Sequence, residues 1–159
     1  GLHTNGYSLA REILFNQLGC RMDHSVGPGS VLGTELLRPH TLYLPHIRKV
    51  RAAVTIKGIA HITGGGLIDN IPRVLPDNVN AEINLGSWTV SPLFRLLESA
   101  ARVTNEELHQ VFNMGIGMVL IVAAKDAAKT AKLAKGKIIG RIVKGARKVV
   151  LNDLRKTSS

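Results

Sequence analysis

Cysteine and long apolar runs are scarce in this chain of 159 residues. Cys20 is the only cysteine, so an intrachain disulfide is excluded, which fits a reducing compartment and makes the cytoplasm the expected location. The longest apolar run, residues 118–124, is less than half of the roughly 20 residues that a membrane-spanning helix needs. We therefore expect neither a disulfide scaffold nor a membrane protein.

Aromatic residues are also few, at 4% of the chain, although the formal net charge is +10. Residues 125–156 carry eleven Lys or Arg against Asp126 and Asp153, so the excess charge is local. That segment has no aromatic residue on which bases could stack. Lys129, Lys132 and Lys135 recur at helical spacing and indicate the solvated face of an amphipathic helix. We therefore do not expect nucleic acid as a partner.

Recognisable catalytic motifs are missing as well. The sequence has no His-Glu-x-x-His zinc motif, no other metal-ligand spacing and no serine framed as a nucleophile elbow. We predict no metal ligand in this chain. Its first residue is Gly1, followed by a polar turn sequence rather than a signal peptide, so we expect a piece of a longer protein. One domain over residues 1–154, with a flexible tail at 155–159, is the expected organisation.

Helical and strand patterns alternate along the chain. The first helix is predicted from Thr4 or Asn5 to about Leu18, and Thr104 with Glu107 forms a predicted capping box for a later one. The other predicted helices are residues 34–38, a short one after the glycines at 64–66, one beyond Pro92, and 125–135. The predicted strands are residues 41–44, 52–63, 80–85, 118–124, 137–143 and 147–151. We expect an α+β (layered α/β) fold in which helices cover a mixed sheet, with residues 118–124 as a central strand buried on both faces.

The triple glycine Gly64, Gly65 and Gly66 follows a predicted strand and opens a predicted helix. Free backbone N–H groups and the helix dipole favour an anion there, and phosphate is the natural guest. The motif is neither a Walker A loop nor a dinucleotide fingerprint. A plain tight turn explains it equally well.

Polar residues flank two further turns. His3, Thr4 and Asn5 stand at the entry to the first helix, where they either cap the helix or face a ligand. His61, just before the glycines, is either a hydrogen-bonded core residue or a substrate contact. In residues 112–118 the glycines indicate a close backbone approach and Asn113 supplies an amide, although a helix-to-strand turn is the simpler interpretation.

Three ordered blocks resemble the AIR synthetase (phosphoribosylformylglycinamidine cyclo-ligase) family. They are GLHTNGYSLAR at 1–11, AHITGGGLIDNIPRVLP at 60–76 and VFNMGIGMVL at 111–120. A further element, Leu36-Leu-Arg-Pro before Tyr43, resembles the family's Leu-Leu-x-Pro-Thr-x-x-Tyr, with His40 where threonine is usual. The resemblance covers nearly the whole chain and indicates the family's C-terminal domain. Related folds occur in selenophosphate synthetase and thiamine-phosphate kinase.

The resemblance implies an ATP- and Mg²⁺-dependent ligase of purine biosynthesis. It would close formylglycinamidine ribonucleotide into aminoimidazole ribonucleotide, with release of ADP and phosphate. The family's N-terminal domain, which holds ATP and Mg²⁺ and forms a homodimer, has no counterpart in this sequence, so the chain alone is expected to be inactive. A stand-alone module that binds a phosphate ligand or an acidic partner is the alternative.

The resemblance also implies roles for individual residues. His3 is the expected catalytic residue, and with Asn5 it would orient the reacting amide of the substrate. The other expected substrate-binding residues are His61, Thr63, Gly64, Gly65, Gly66 and Asn113, the glycines holding a phosphate.

Overall fold

The structure is a computed structural model that describes residues 1–3 and 5–153. Thr4 and the predicted tail at 155–159 lie outside the described residues. The helices are α1 (Tyr7–Arg11, continued by a π-helical segment, Glu12–Gln17), α2 (Leu32–Leu36), α3 (Leu44–Arg51), α4 (Gly66–Asn70), α5 (Pro92–Ala100), α6 (Asn105–Val111) and α7 (Ala127–Ala134). Short 3₁₀ turns are formed by Pro72–Val74 and Ala124–Asp126. The strands are β1 (Ser25–Gly27), β2 (Ser30–Val31), β3 (Ile56–His61), β4 (Val79–Leu85), β5 (Met118–Val122), β6 (Gly140–Lys144) and β7 (Val149–Asp153).

The mixed α+β class is confirmed, and the described strands are distributed over three small sheets. β1 and β2 form an antiparallel pair, and β3 pairs antiparallel with β5. In the third sheet β4 is central, antiparallel to β6 and parallel to β7. The mixed strand directions that the alternating pattern predicts are therefore found around β4.

The prediction for β5 as a central, doubly buried strand is wrong. Within the described residues β5 pairs only with β3, and all five of its residues are partly exposed. A continuous apolar run does not tell a central strand from one whose second edge faces an apolar groove. Here residues of β5 line an apolar groove together with residues of α7 and β6.

Residues 41–44 were also predicted wrongly, as a strand. Residues 41–43 have no regular structure, and Leu44 begins α3. Pro45 lies in the first turn of that helix, where its missing N–H costs nothing and its fixed φ is helical. The proline was the signal for a helix start, and it outweighs the local β-propensity.

The first predicted helix is confirmed in position but begins later, at Tyr7, after Gly6 with a φ of 67°. A Cβ at Gly6 would lie 2.5 Å from the Phe112 ring, so the chain can enter the helix here only with glycine. The capping box of α6 is confirmed in full: Thr104 Oγ1 accepts from the N–H of Glu107, and Glu107 accepts from the N–H of Thr104.

Two apolar clusters hold the domain together. One joins α1, α2, α5 and α6 around Phe94 and Phe112, and the other joins β3, β4 and α4 around Ile62 and Leu67. Three candidate site residues directly follow fully buried ones: His3 after Leu2, Thr63 after Ile62, and Asn113 after Phe112. The two cores therefore fix the backbone of the candidate site from both sides. None of the described helices has the length and hydropathy to cross a membrane.

Candidate functional site

His3 lies at the centre of a corner of aromatic and imidazole rings. Its side chain is 7% exposed, and its ring stacks on that of His40 with centroids 4.5 Å apart and an interplanar angle of 13°. The Tyr43 ring is tilted against it at 6.1 Å. On the edge of the imidazole, a Cβ at Gly117 would lie 2.7 Å from His3 Cε1 and would overlap the Tyr43 hydroxyl. We call His3, His40, Tyr43, His61 and Gly117 the histidine corner.

The surroundings of His3 keep its ring neutral. Burial is the largest cause that lowers the pKa of His3 to about 4, and electrostatic repulsion from the amino terminus, His40 and His61 lowers it further. Burial also raises the pKa of the Tyr43 phenol above its ordinary value. At neutral pH the corner therefore presents an uncharged imidazole beside a protonated phenol. Such groups orient a polar substrate through hydrogen bonds without adding charge of their own.

Asn5 connects the histidine corner to the glycine turn. Its Nδ2 donates to the carbonyl oxygen of His3 at 3.0 Å, within the turn that leads into α1. Its Oδ1 lies 3.8 Å from the position that a Cβ of Gly64 would occupy. His61, at the end of β3, is exposed rather than buried in the core, so the core-residue interpretation of His61 is wrong. Its side chain is free to meet a ligand arriving at this face.

The glycine turn, residues 63–66, is held from within by Asn70. The buried Asn70 side chain donates through Nδ2 to the carbonyl oxygens of Gly66 at 2.8 Å, Gly64 at 3.1 Å and Thr63 at 3.3 Å. Its Oδ1 accepts from Thr63 Oγ1 at 3.3 Å. One side chain thereby satisfies several carbonyls of a turn that has no ladder of its own. Thr63, predicted to bind substrate, makes a structural hydrogen bond here.

Two of the three glycines are explained by packing. A Cβ at Gly66 would overlap the carbonyl oxygen of His109 and lie 3.0 Å from that of Phe112, so the turn rests directly on the end of α6. Gly66 and Gly65 also have φ values of 55° and 95°, in the region that favours glycine. Gly64 has neither a positive φ nor a close neighbour.

An acidic side chain stands beside this turn. A Cβ at Gly65 would lie 2.8 Å from Asp69 Oδ2, and the Asp69 carboxylate accepts from Gln110 Nε2 at 3.2 Å. A carboxylate at this distance opposes an anion at Gly65. At Gly64 the atom within 4 Å of the Cβ position is instead Asn5 Oδ1, at 3.8 Å.

Asn113 is almost fully buried and ties two distant segments together. Its Nδ2 donates to the Gly1 carbonyl oxygen at 3.1 Å, and its Oδ1 accepts from the N–H of Gly115 at 2.8 Å. Next to it, Trp88 Nε1 donates to the Met114 carbonyl oxygen at 2.9 Å. Asn113 therefore holds the first residues of the chain against the loop before β5, behind the histidine corner.

The structure brings together His3, Asn5, His61 and Gly64, and it places Asn113 and Gly66 in the framework behind them. Sequence reasoning assigned no role to His40, Tyr43, Gly117 or Asn70. The closely spaced glycines of residues 112–118 did indicate a close backbone approach, and Gly117 makes it. No sequence signal points to Asn70, because its partners are carbonyls of a turn whose shape only the fold defines.

An apolar groove of about 950 Å³ runs from Thr41 and Tyr43 along β5 and beneath α7 to β6. Lys129, predicted to lie on the solvated face of α7, donates through Nζ to the carbonyl oxygen of Ala53 at 3.0 Å. This bond helps to hold α7 against the end of α3. Where the chain is described, no group of three or more His, Cys, Asp or Glu residues could hold a metal ion.

Comparison with known proteins identifies the family. The family model described as "AIR synthase related protein, C-terminal domain" matches residues 1–152. A phosphoribosylformylglycinamidine cyclo-ligase of Geobacillus kaustophilus (strain HTA426) is 48% identical over 152 residues, which cover 92% of this chain and 44% of the relative. One of Alkaliphilus oremlandii (strain OhILAs) is 41% identical over 157 residues, covering 95% of this chain and 46% of the relative.

A solved structure supports the fold assignment. Thiamine-monophosphate kinase from Stenotrophomonas maltophilia K279a superposes with a TM-score of 0.58 at 19% identity, over 94% of this chain and 48% of that one. The chain therefore spans less than half the length of these curated relatives and of this structure. With its family match and its relatives taken together, the chain belongs to the AIR synthase related proteins and corresponds to their C-terminal domain.

Proposed function

We propose that this chain is the C-terminal part of an ATP-dependent cyclo-ligase. The whole enzyme would convert formylglycinamidine ribonucleotide into aminoimidazole ribonucleotide in purine biosynthesis. The observation that carries the proposal is the similarity of nearly the whole chain to curated phosphoribosylformylglycinamidine cyclo-ligases. The arrangement around Asn5 supports it, because Asn5 donates to the His3 carbonyl oxygen and its Oδ1 lies 3.8 Å from the Cβ position of Gly64.

In this proposal His3 and Asn5 orient the reacting amide region of the substrate. A neutral imidazole and a carboxamide can each donate and accept a hydrogen bond, which suits an amidine that must be turned toward a carbonyl carbon. Burial, the largest cause of the lowered pKa of His3, disfavours the charged imidazole at neutral pH. His3 therefore acts through contact and orientation, and His61 supports the same end of the substrate.

The glycine turn is proposed to hold a substrate phosphate through its outer side. Gly64 has open space toward Asn5, whereas Gly65 faces the Asp69 carboxylate and Gly66 rests on α6. The shape of the turn is then set by Thr63, Gly65 and Gly66, which contribute backbone groups but leave no space for the phosphate beside them. Asn113 contributes by fixing the loop behind His3.

In this proposal ATP and Mg²⁺ bind mainly outside the residues described here. The described part of the chain has no cluster of carboxylates and imidazoles for a metal ion, and the carboxylate of Asp69 stands beside the glycine turn. We therefore derive no step through either group on this chain. In the proposal they are held by the part of the enzyme that this chain does not cover.

The proposed partners follow from the same division. The N-terminal part of a cyclo-ligase would close the substrate cleft over the histidine corner, and the complete enzyme would form a homodimer in the cytoplasm. The chain alone would then lack activity.

The test is aminoimidazole ribonucleotide formation from formylglycinamidine ribonucleotide and Mg-ATP. The chain is assayed alone and with the part of a curated cyclo-ligase relative that it does not cover, added in trans. We expect activity only in the mixture, and loss of that activity with His3→Ala. Activity of the chain alone would contradict the proposed division, and a fully active His3→Ala mixture would contradict the role of His3.

A further inference from the structure

His40 covers the buried ring of His3 from the solvent side. His40 is exposed, whereas His3 is 7% exposed, and their rings are nearly parallel at a centroid distance of 4.5 Å. Among the described rings, the one that His40 contacts is that of His3, which the proposed function uses.

The other sides of His3 are bounded more rigidly. Its backbone φ is 53°, an uncommon region for a residue with a Cβ, so the main chain is held there by its surroundings. Gly117 borders the Cε1 edge and Tyr43 is tilted against the ring. Of the two described ring contacts of His3, the one with His40 is nearly parallel and the one with Tyr43 is tilted, so His40 lies against a face of the imidazole.

We propose that His40 is a positioning residue: its stacked ring fixes the orientation of His3 and limits the access of water to it. Only the expected effect of His40 on turnover rests on the proposed function. The stack itself is present in the chain as it stands, as a contact between two nearly parallel rings.

The charges around His3 come from several elements. The amino terminus of Gly1, His40 in the loop before α3 and His61 at the end of β3 all lower its pKa, and burial is the largest cause. Tyr43 faces it as a neutral phenol, and Arg38 and Glu35 lie behind the amino terminus. The electrostatic effect of His40 on His3 and the contact between the two rings can be tested separately, because one substitution can keep the ring while it removes the ionisable group.

Three variants separate those two changes. His40→Phe keeps a flat ring and removes the charge, His40→Ala removes both, and His24→Ala removes another exposed histidine elsewhere as the matched control. For each variant the His3 ring is followed by NMR titration in the isolated chain. Turnover is measured as kcat and KM across pH in the complemented mixture.

We expect His40→Ala to raise the pKa of His3 by about one unit, because water gains access and a charge is lost. Its kcat should fall about tenfold or more, with a smaller change in KM, because the ring loses its orientation. His40→Phe should raise the pKa of His3 as well but keep kcat within about threefold of the parent. His24→Ala should change neither.

An unchanged His3 titration in His40→Ala would overturn the proposal, whatever the activity. Equal losses of kcat in the Phe and Ala variants would overturn it too, because the imidazole itself and not its stack would then be needed. If the parent mixture is inactive, the proposed function fails. The titrations in the isolated chain still decide whether His40 holds His3.

Discussion

The glycine turn and the histidine corner are neighbours joined by Asn5, yet they are built in opposite ways. The turn is closed: Asn70 satisfies its carbonyls, α6 supports Gly66, and Asp69 stands beside Gly65. The corner instead combines two exposed imidazoles, His40 and His61, with the buried and neutral ring of His3. Most glycines of such a motif can thus be required by packing and backbone conformation, while the side chains suited to substrate contact lie next to the motif.

The comparison is tested most severely by adding one methyl group to the turn. We expect Gly66→Ala to cost on the order of 3–5 kcal/mol of unfolding free energy, because the Cβ would overlap the His109 carbonyl at a positive φ. Gly64→Ala should cost about 1 kcal/mol or less, since its nearest neighbour is 3.8 Å away. Urea unfolding of the two variants checks the contrast. Equal costs would remove the distinction between packed and open glycines.

A second change removes the internal support of the turn. Asn70→Ala deletes a donor that reaches three carbonyl oxygens, so we expect a loss of about 2–3 kcal/mol. Asn16→Ala, at an exposed position, is the control and should cost less than about 0.5 kcal/mol. Chemical denaturation measures both. A neutral Asn70→Ala would mean that α6 alone holds the turn.

The histidine corner should affect the pH dependence of the unfolding free energy, because His3 is buried as a neutral ring. The folded pKa of His3, about 4, lies below the ordinary value of 6.5, so the unfolded chain binds more protons between these limits. Stability from a neutral His3 is therefore complete above pH 6.5 and declines as pH falls toward 4, by about 1–2 kcal/mol at pH 5. Denaturation at pH 7.5 and pH 5 measures this. His3→Gln should lose this contribution, and an unchanged slope in that variant would refute it.

The smallest expected effect comes from weakening α6, the helix on which the glycine turn rests. Thr104→Ala breaks the capping box of α6 and should cost about 1 kcal/mol. Ser99→Ala, which removes an exposed serine hydroxyl at the end of α5, is the control and should change stability by less than about 0.5 kcal/mol. Hydrogen exchange should show faster opening at the start of α6, with little change at His3. Equal opening at both places would mean that corner and turn move as one unit.

Local signals predicted much of this fold. The capping box at Thr104, the strand β3 before the glycines and the helix α5 after Pro92 depend on neighbouring residues, and they are found in the structure. The partners of β5 could not be predicted in the same way, because they depend on which sheets form. The helix beginning at Leu44 was missed although Pro45 in its first turn is a local signal for it.

The candidate site was predictable as a set of segments but not as a geometry. His3, Asn5 and Gly64 were named from their motifs, and the structure brings them to one face. The stack of His40 on His3 joins residues 37 positions apart, and Asn70 acts only through the shape of the turn. No sequence pattern predicts either contact, because each depends on the tertiary arrangement.

The most direct test of the account is an NMR titration of the isotope-labelled chain with formylglycinamidine ribonucleotide. We expect chemical-shift changes confined to His3, Asn5, His61 and Gly64, with the signals of Gly66 and of the residues of α7 unchanged. Binding at this face would place the substrate contacts of this domain beside the histidine corner. Shifts confined to the apolar groove along β5 and α7, with His3 and Gly64 unmoved, would contradict the account.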